Sequence, residues 1–174
     1  MKFFSENIED LRTLYVADLK KALDMEQKIT KALPTMIEKS TDAELATAFR
    51  NHLEETKGHV SKVDRLLRNS TGEDDTSKCK AISALITEAE DNIKDVGDTS
   101  IRDIVLIASA QQVEHHEIAV YGTLRTWAEL LGETEAVAVL ESILEEEKKA
   151  DKLLSNISDS VNMTAEPNRS RAVA

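Results

Sequence analysis

The sequence predicts an all-α domain, and three observations carry that prediction. Of its 174 residues only 5 are glycine, 2 are proline and 3% are aromatic, so turn-forming and strand-forming residues are scarce. Alanine, leucine, glutamate and lysine dominate, and these residues lose little side-chain freedom in a helix. Apolar side chains recur every three or four residues along most of the chain. We expect one bundle over residues 1–161 and a disordered tail over 162–174.

Five helical segments follow from the apolar periodicity and from the residues that interrupt it. Ser5 is expected to cap the first helix, and Pro34 to kink or shorten its last turn. Gly132 is expected to close the fourth helix, which is apolar over most of its circumference and should be the most buried. The predicted helices span residues 5–39, 42–70, 78–96, 100–131 and 134–161.

The lengths of the connections predict how these helices are arranged. Very short loops join the first helix to the second and the fourth to the fifth, so each of these pairs forms an antiparallel hairpin. Roughly 30 residues, including the short third helix, separate the two hairpins, and at about 1.5 Å per residue that helix travels most of the length of a bundle. The hairpins are therefore joined by a long crossover, which is the ferritin-like arrangement of a four-helix bundle.

The charge and the apolar runs exclude two classes of partner. A net charge of −11 disfavours binding to a nucleic-acid backbone. No apolar run approaches the roughly 20 residues that a membrane-spanning helix needs, and the first residues lack the apolar stretch of a signal peptide. One cysteine, Cys79, rules out an intramolecular disulfide. We therefore expect a cytoplasmic protein with no nucleic-acid or membrane partner.

The most informative residues are acids that fall on apolar helix faces. Glu26 is in phase with the apolar residues of the first helix, Glu117 with those of the fourth, and Glu147 with those of the fifth. Asp151 lies one turn beyond Glu147. Glu114 lies one turn before Glu117 and is a candidate supporting or exchanging ligand. These acids lie near the middle of their helices, so we expect them to point into a shared interior.

The second helix adds histidine to this set. His52, Glu55 and His59 are spaced three and four residues apart and line one edge of the inward face. His59 is either a metal ligand or a hydrogen-bonded histidine, and for His52 the second interpretation is favoured. His115 is expected to support a ligand by hydrogen bonding. In the run 145–147 only the third glutamate is in phase, so the other two are expected to face solvent.

Acids gathered in an apolar interior need compensation. A carboxylate taken from water without a partner costs several kcal/mol, even after the protein relaxes. No lysine or arginine occupies the core-facing positions near these acids, which leaves protonation or bound cations, and two divalent ions would neutralise four carboxylates. The sequence therefore predicts a pair of metal ions. A ligand set rich in oxygen with one or two imidazoles favours iron, or else manganese, over zinc and copper.

Four segments of the chain resemble one known family, the YciF-type ferritin-like stress proteins of bacteria, which are distant relatives of rubrerythrins. The segments are ALDMEQKITKALP, FRNHLEETKGHV, ASAQQVEHHEIAVYGTLRTWAELLG and LEEEKKADKLL. The resemblance covers residues 7–158. It implies a four-helix bundle with a crossover helix, a homodimer and a di-metal centre.

The resemblance also implies metal ligands on each of the four long helices. This chain departs from the Glu-x-x-His spacing of the ferritin-like class, because Glu55 is followed by His59 four residues later and Asp151 stands where the class has a histidine. Relatives often carry glutamine at the position of His59. The ligands that the resemblance implies are Glu26, Glu55, Glu114, Glu117, Glu147 and Asp151.

Two functions remain open at this point. The first is a di-iron or iron–manganese oxidoreductase that acts on dioxygen or peroxide in a stress response, with ferroxidase-like or peroxidase-like chemistry. The second is a non-catalytic bundle that binds a partner or serves as a scaffold, with its acids paired or reaching solvent at the edge of the bundle. Metal content distinguishes the two functions.

Overall fold

The structure, a computed structural model, describes residues 8–165. These residues form five α-helices and no β-strand, which confirms the predicted fold class. None of these helices is both long enough and apolar enough to cross a bilayer. The helices are α1 (Leu11–Lys39), α2 (Ala43–Thr71), α3 (Lys80–Asp95), α4 (Thr99–Leu130) and α5 (Thr134–Ala165).

Helix α1 begins later than the sequence predicted. Asp10 is its N-cap: the Asp10 carboxylate accepts a hydrogen bond from the Thr13 backbone N–H at 2.7 Å. In return, the Asp10 backbone N–H donates to Thr13 Oγ1 at 3.1 Å. This reciprocal capping box satisfies N–H groups that the first helical turn leaves unpaired. The helix start at Leu11 corrects the predicted start, and the predicted cap, Ser5, lies outside the described residues.

One predicted helix end is confirmed and another needs correction. Pro34 lies inside α1 without shortening it, and the helix continues for more than a turn to its predicted end at Lys39. Helix α5 extends to Ala165, so residues 162–165 are helical although they were assigned to the disordered tail. The remainder of the predicted tail, residues 166–174, lies outside the described residues.

The caps of α2 and α4 lie at the polar and glycine residues that were predicted to separate the helices. Asp42 caps α2 and Asp98 caps α4, and each carboxylate accepts hydrogen bonds from two backbone N–H groups. Gly72 and Gly132 follow α2 and α4 with φ values of 76° and 74°. This left-handed conformation is strained for other residues and accessible to glycine, so the two glycines end their helices sharply.

The four long helices surround one core. The two largest interfaces lie between α1 and α2 and between α4 and α5, which are the two predicted hairpins. Helix α1 also packs against α4, and α2 against α5, so each long helix has two long neighbours, while α3 covers α1 and α4. Apolar side chains from all five helices fill the interior. Each fully buried leucine or isoleucine contributes about 1.5–3 kcal/mol, and this packing fixes the polar residues at mid-length.

Asp103 shows that the crossover makes α2 and α4 parallel. Asp103 lies in the second turn of α4 and is 3% exposed. Its carboxylate accepts hydrogen bonds from the backbone N–H groups of Thr41 and Asp42, both at 2.9 Å. Because these residues immediately precede α2, the two helices begin at the same end of the bundle. The predicted ferritin-like connectivity is confirmed.

Candidate metal centre

Six ionisable side chains from the four long helices meet in the middle of the bundle. Each is at most 7% exposed, although each residue type is normally found at protein surfaces or paired. Their convergence follows from the apolar periodicity, since they occupy the inward positions of their helices. The six are Glu26 on α1, His52 and His59 on α2, Glu114 and Glu117 on α4, and Glu147 on α5.

Four of these side chains form a first group of potential ligands. One nitrogen or oxygen from each of His52, Glu114, Glu117 and Glu147 lies within 4.8 Å of the others. His52 Nε2 is 3.3 Å from Glu114 Oε1. Donors that bind one metal ion at about 2.0–2.2 Å lie roughly 3–4 Å apart, and the pair of His52 and Glu114 has this spacing.

A second group shares one residue with the first. Ligand atoms of Glu26, His59 and Glu147 also lie within 4.8 Å of one another. His59 Nδ1 is 2.9 Å from Glu147 Oε1 and 3.7 Å from Glu26 Oε2. Since Glu147 belongs to both groups, it would be the residue shared by two ions if each group held one, and a shared carboxylate is typical of two-metal sites.

The fit to metal ions is tested by the polar atoms that have no other partner. Among the described residues, Glu117 and Glu147 each have two buried oxygens without a hydrogen bond. Both ring nitrogens of His52 and Nδ1 of His59 also lack one, because even the 2.9 Å approach to Glu147 is not in hydrogen-bond geometry. Unsatisfied buried polar atoms cost about 1–3 kcal/mol each. Divalent cations would satisfy all of these atoms together.

Asp103 provides the contrast within the same core. It is as buried as Glu114, at 3% exposed, but its carboxylate is satisfied by the backbone N–H groups of Thr41 and Asp42. A carboxylate buried for structural reasons thus brings its donors with it. The carboxylates of the central groups face one another instead, which is the arrangement of ligands.

Two further contacts orient the ligands. His59 Nε2 is 2.6 Å from Glu146 Oε2, and Lys62 Nζ donates to the same carboxylate at 3.0 and 3.1 Å. A carboxylate on the outer nitrogen fixes the orientation of a metal-binding imidazole and leaves Nδ1 facing inward. On the other side, the Tyr121 hydroxyl donates a hydrogen bond to Glu26 Oε1. Glu26 Oε2 is left free for the second group.

The electrostatics of the centre favour bound protons when no cation is present. Burial raises the pKa of Glu117 well above its usual range, and the neighbouring carboxylates of Glu147, Glu26 and Glu114 raise it further. Burial likewise raises the pKa of Glu114 to about 8, although the charge of His52 opposes the rise. Burial also raises the pKa of Glu26, against the effect of His59.

The two histidines respond in the opposite sense to burial. Burial by itself lowers the pKa of His52, but Glu55, Glu114 and the more distant carboxylates outweigh it and raise the pKa to about 9. In the same way Glu147 and Glu26 overcome the burial of His59 and raise its pKa to about 10. The centre therefore holds protons that it must release when metal ions bind.

The sequence-predicted ligands divide into two sets. The structure brings together Glu26, His59, Glu114, Glu117 and Glu147. Glu55 lies outside both groups, with its side chain 50% exposed and its Oε2 atom 3.7 Å from His52 Nδ1. Asp151 also lies outside them: Gln111 donates a hydrogen bond to it at 3.3 Å, and exposed His115 is 3.5 Å away. Ligand roles for the last two acids stay predictions.

One expectation for an individual residue was wrong, that for Glu146. His52, for which hydrogen bonding was favoured over a ligand role, belongs to the first group, and its ligand role stays a prediction. Glu146, expected to face solvent, is only 30% exposed in its side chain and contacts His59. His115, expected to support a ligand by hydrogen bonding, has a 69% exposed side chain and lies 3.5 Å from Asp151, so its supporting role stays a prediction. The spacing of His52 and His59, seven residues apart on one helix face, was the pattern that could have identified His52.

Comparison with known proteins gives one family by sequence and by structure. A family model described as a domain of unknown function, DUF892, matches residues 10–166. Protein YciF of Escherichia coli (strain K12) is 36% identical over 162 residues, which cover 92% of this chain and 98% of that protein. The crystal structure of the E. coli stress protein YciF matches with a TM-score of 0.84 and 35% identity, covering 88% of this chain and 97% of that one.

Two further structures place the fold. YcfI of Rhodopseudomonas palustris matches with a TM-score of 0.84 and 39% identity, covering 88% of this chain and 98% of that one. A ferritin-like diiron-carboxylate protein of Bacillus anthracis strain Ames matches with a TM-score of 0.67. Its identity is 16%, over 86% of this chain and 98% of that one, so this likeness shows the fold alone. The fold is ferritin-like, and the chain belongs to the DUF892 family, with E. coli YciF among its relatives.

Proposed function

We propose that this protein binds two iron ions, or one iron and one manganese ion, and reacts with dioxygen or peroxide in a stress response. The observation that carries the proposal is the buried carboxylate of Glu147, which belongs to both ligand groups and has no hydrogen-bond partner. A shared carboxylate between two sets of donors is what a pair of adjacent ions requires.

The charge of the centre supports two divalent ions. Four carboxylates, those of Glu26, Glu114, Glu117 and Glu147, contribute four negative charges when ionised. Two neutral imidazoles complete the set, so two divalent cations give a neutral buried cluster. Oxygen donors with few imidazoles and no thiolate suit iron and manganese better than zinc or copper.

The residues around the centre have distinct parts in this function. Bound iron would supply the electrons that reduce an O–O bond. Glu147 would be the ligand shared by the two ions, while His59 is kept in place by Glu146 and Glu26 by Tyr121. Apolar side chains of all five helices surround the centre and lower the local dielectric, which strengthens these electrostatic contacts.

The first test compares the amount of iron bound by the wild-type protein and by a variant of Glu26, which belongs to only one of the two ligand groups. The wild-type protein, titrated with Fe(II) without oxygen, is expected to bind about two ions per chain. Glu26→Gln is expected to bind about one, because the first ligand group does not contain Glu26. Glu38→Gln removes an exposed carboxylate of the same helix and should bind as the wild type does. Equal stoichiometry in Glu26→Gln and the wild type would contradict the two-ion arrangement.

An apolar cavity supports dioxygen as one substrate. A cavity of about 50 Å³ lies beneath α3, is lined mainly by apolar side chains from α1, α3 and α4, and ends at His52 and Glu114. Small apolar cavities exclude water and admit small apolar molecules. Dioxygen fits this description, whereas peroxide forms hydrogen bonds and is disfavoured there.

Filling this cavity is expected to slow the reaction with dioxygen and to leave the reaction with hydrogen peroxide unchanged. Ala89 lines the cavity from α3, and Ala89→Leu should slow the reaction of the iron-loaded protein with dioxygen several-fold. The reaction with hydrogen peroxide and the iron content should stay unchanged. Ala84→Leu, at an exposed position of the same helix, is the matched control. Rapid-mixing absorbance measures both reactions, and unchanged dioxygen kinetics in Ala89→Leu would rule out this cavity as the path.

The alternative is a scaffold or partner-binding protein, and the R. palustris relative is described as a structural protein. Under this alternative the wild-type chain binds no stoichiometric metal, and Glu26→Gln changes nothing. The stress role is taken from the name of the E. coli relative. The homodimer and the cytoplasmic location stay predictions.

A further inference from the structure

A second cavity connects the centre with the protein surface between α2 and α5. Its volume is about 210 Å³, which is room for many water molecules, since one needs only about 10–15 Å³ on this measure. Glu55 and Lys149 line its exposed end, and His52 and Glu114 line its buried end. The cavity therefore has room for water and carries charged residues at both its exposed and its buried end, where it reaches two members of the first ligand group.

His52 stands between the two ends of this cavity. Its Nε2 atom is 3.3 Å from Glu114 Oε1, inside the centre, and its Nδ1 atom is 3.7 Å from Glu55 Oε2, on the outer side. Neither nitrogen has a hydrogen-bond partner, although the residue is only 7% exposed. A buried imidazole with two unpartnered nitrogens, one facing inward and one facing outward, is unusual because each such atom costs free energy.

We infer that this cavity is the path by which divalent cations enter the centre, with Glu55 as the outer receiving carboxylate and His52 as the side chain that passes the ion inward. This inference rests on the proposed function, since it needs a centre that binds metal. The spacing of Glu55 Oε2 and His52 Nδ1 suits two donors to one ion. Glu55 therefore serves metal loading rather than the final coordination.

The other cavity is unsuited to this task. The apolar cavity beneath α3 is also lined by His52 and Glu114, but apart from exposed Glu90 the rest of its lining is mainly apolar, so a cation there would lose its hydration with little compensation. The path between α2 and α5 carries carboxylates of Glu55 and Glu146, the second of which is paired with Lys62. Glu55 is thus the carboxylate at the exposed end that no lysine or arginine pairs with among the described residues, its neighbour being His52, and the charge of Lys149 opposes the attraction of a cation.

The rate of metal loading tests the inference without any measurement of catalysis. Metal-free protein is mixed rapidly with Co(II), and the visible absorbance of the bound ion is followed. Glu55→Gln is expected to load about ten-fold more slowly, because a carboxylate at the mouth of a cleft raises the encounter rate of a cation. The number of ions bound at equilibrium should not change. Lys149→Gln should load faster than the wild type.

The matched control is Glu90→Gln, which removes an exposed carboxylate at the apolar cavity and should load at the wild-type rate. Equal slowing in Glu90→Gln and Glu55→Gln would mean that only the overall charge matters and would overturn the path. A lower number of ions in Glu55→Gln would make Glu55 a permanent ligand and would also overturn it. If wild-type protein binds no Co(II), Fe(II) or Mn(II) at all, the metal centre itself fails, which is a different result from either of these.

Discussion

Replacement of Glu147 by glutamine is expected to remove both metal ions. The side chain is fully buried and belongs to both ligand groups, so a neutral amide at this position weakens two coordination shells at once. Loss of residues that merely orient a ligand typically costs about 10–100-fold in metal affinity, and we expect a shared ligand to exceed that for each ion. Metal analysis after dialysis should find less than one ion per chain, against about two in the wild type.

The same variant should lose stabilisation by metal. A ligand present at about 100 times its dissociation constant stabilises the folded state by about 2.7 kcal/mol, so metal should raise the melting temperature of the wild type but not of Glu147→Gln. Glu145→Gln is the control, because Glu145 has a half-exposed side chain, is paired with Lys148 and lies two residues before Glu147. Two ions retained by Glu147→Gln would refute a shared ligand. An equal loss in Glu145→Gln would point to a general effect of charge.

The acids of the centre were predictable because of their helical phase. Glu26, Glu117 and Glu147 each interrupt an apolar face, and a helix that buries that face also buries the acid. His52 and Glu55 show where this reasoning ends. They lie about 60° apart around their helix, and either of them is compatible with the edge of the inward face. Packing of α2 against α1 and α5 decides that His52 points inward.

Depth along the bundle was harder to predict than phase. Asp151 is one turn beyond Glu147, about 6 Å further along the axis, and there it meets Gln111 instead of the centre. Only the relative sliding of α4 and α5 fixes which turn faces which, and short loops constrain that sliding without setting it. The hairpins and the crossover were predictable from loop lengths alone.

The hydrogen bond that fixes the start of α3 could not be predicted from the sequence. The Cys79 backbone N–H donates to Asp24 Oδ2 at 2.7 Å, which fixes the start of α3 against the middle of α1. Asp24 does not interrupt an apolar helix face in the sequence, and no motif surrounds it. Nothing in the local sequence therefore distinguishes it from the other acids of the chain. Contacts between residues so distant in the sequence are set by the packed fold, and single-sequence patterns carry little information about them.

The metal-free protein is expected to lose stability as the pH rises from 5 to 9. The folded centre holds protons on Glu26, Glu114 and Glu117 that the unfolded chain releases near pH 4.5, because the pKa of each is raised. His52 and His59 likewise keep their protons up to a pKa of about 9 and about 10, whereas the unfolded chain releases them near 6.5. Throughout this interval the folded state binds more protons than the unfolded state, so the free energy of unfolding falls as the pH rises.

The expected fall in the free energy of unfolding can be estimated from the raised pKa values. A raised pKa contributes about 1.4 kcal/mol for each pH unit over which only the folded state holds the proton, so the free energy of unfolding should fall by at least about that amount per pH unit between pH 7 and pH 8. Surface acids with a lowered pKa, such as Asp10 and Asp75, act below pH 5 and do not contribute. Urea denaturation with a chelator present measures the slope, and Glu117→Gln should flatten it by removing one titrating group.

Metal should reverse the dependence on pH. Ligands must release their protons to bind cations, so metal affinity increases with pH. It does so over the same pH interval in which the metal-free protein loses stability. The midpoint of urea denaturation with saturating Mn(II), a probe that avoids oxidation, should therefore stay level or rise from pH 5 to pH 8. A metal-free midpoint that rises with pH would show that the central carboxylates are already ionised and compensated within the folded chain. In that case the buried acids would need no cations, and the electrostatic argument for a two-metal centre would fail.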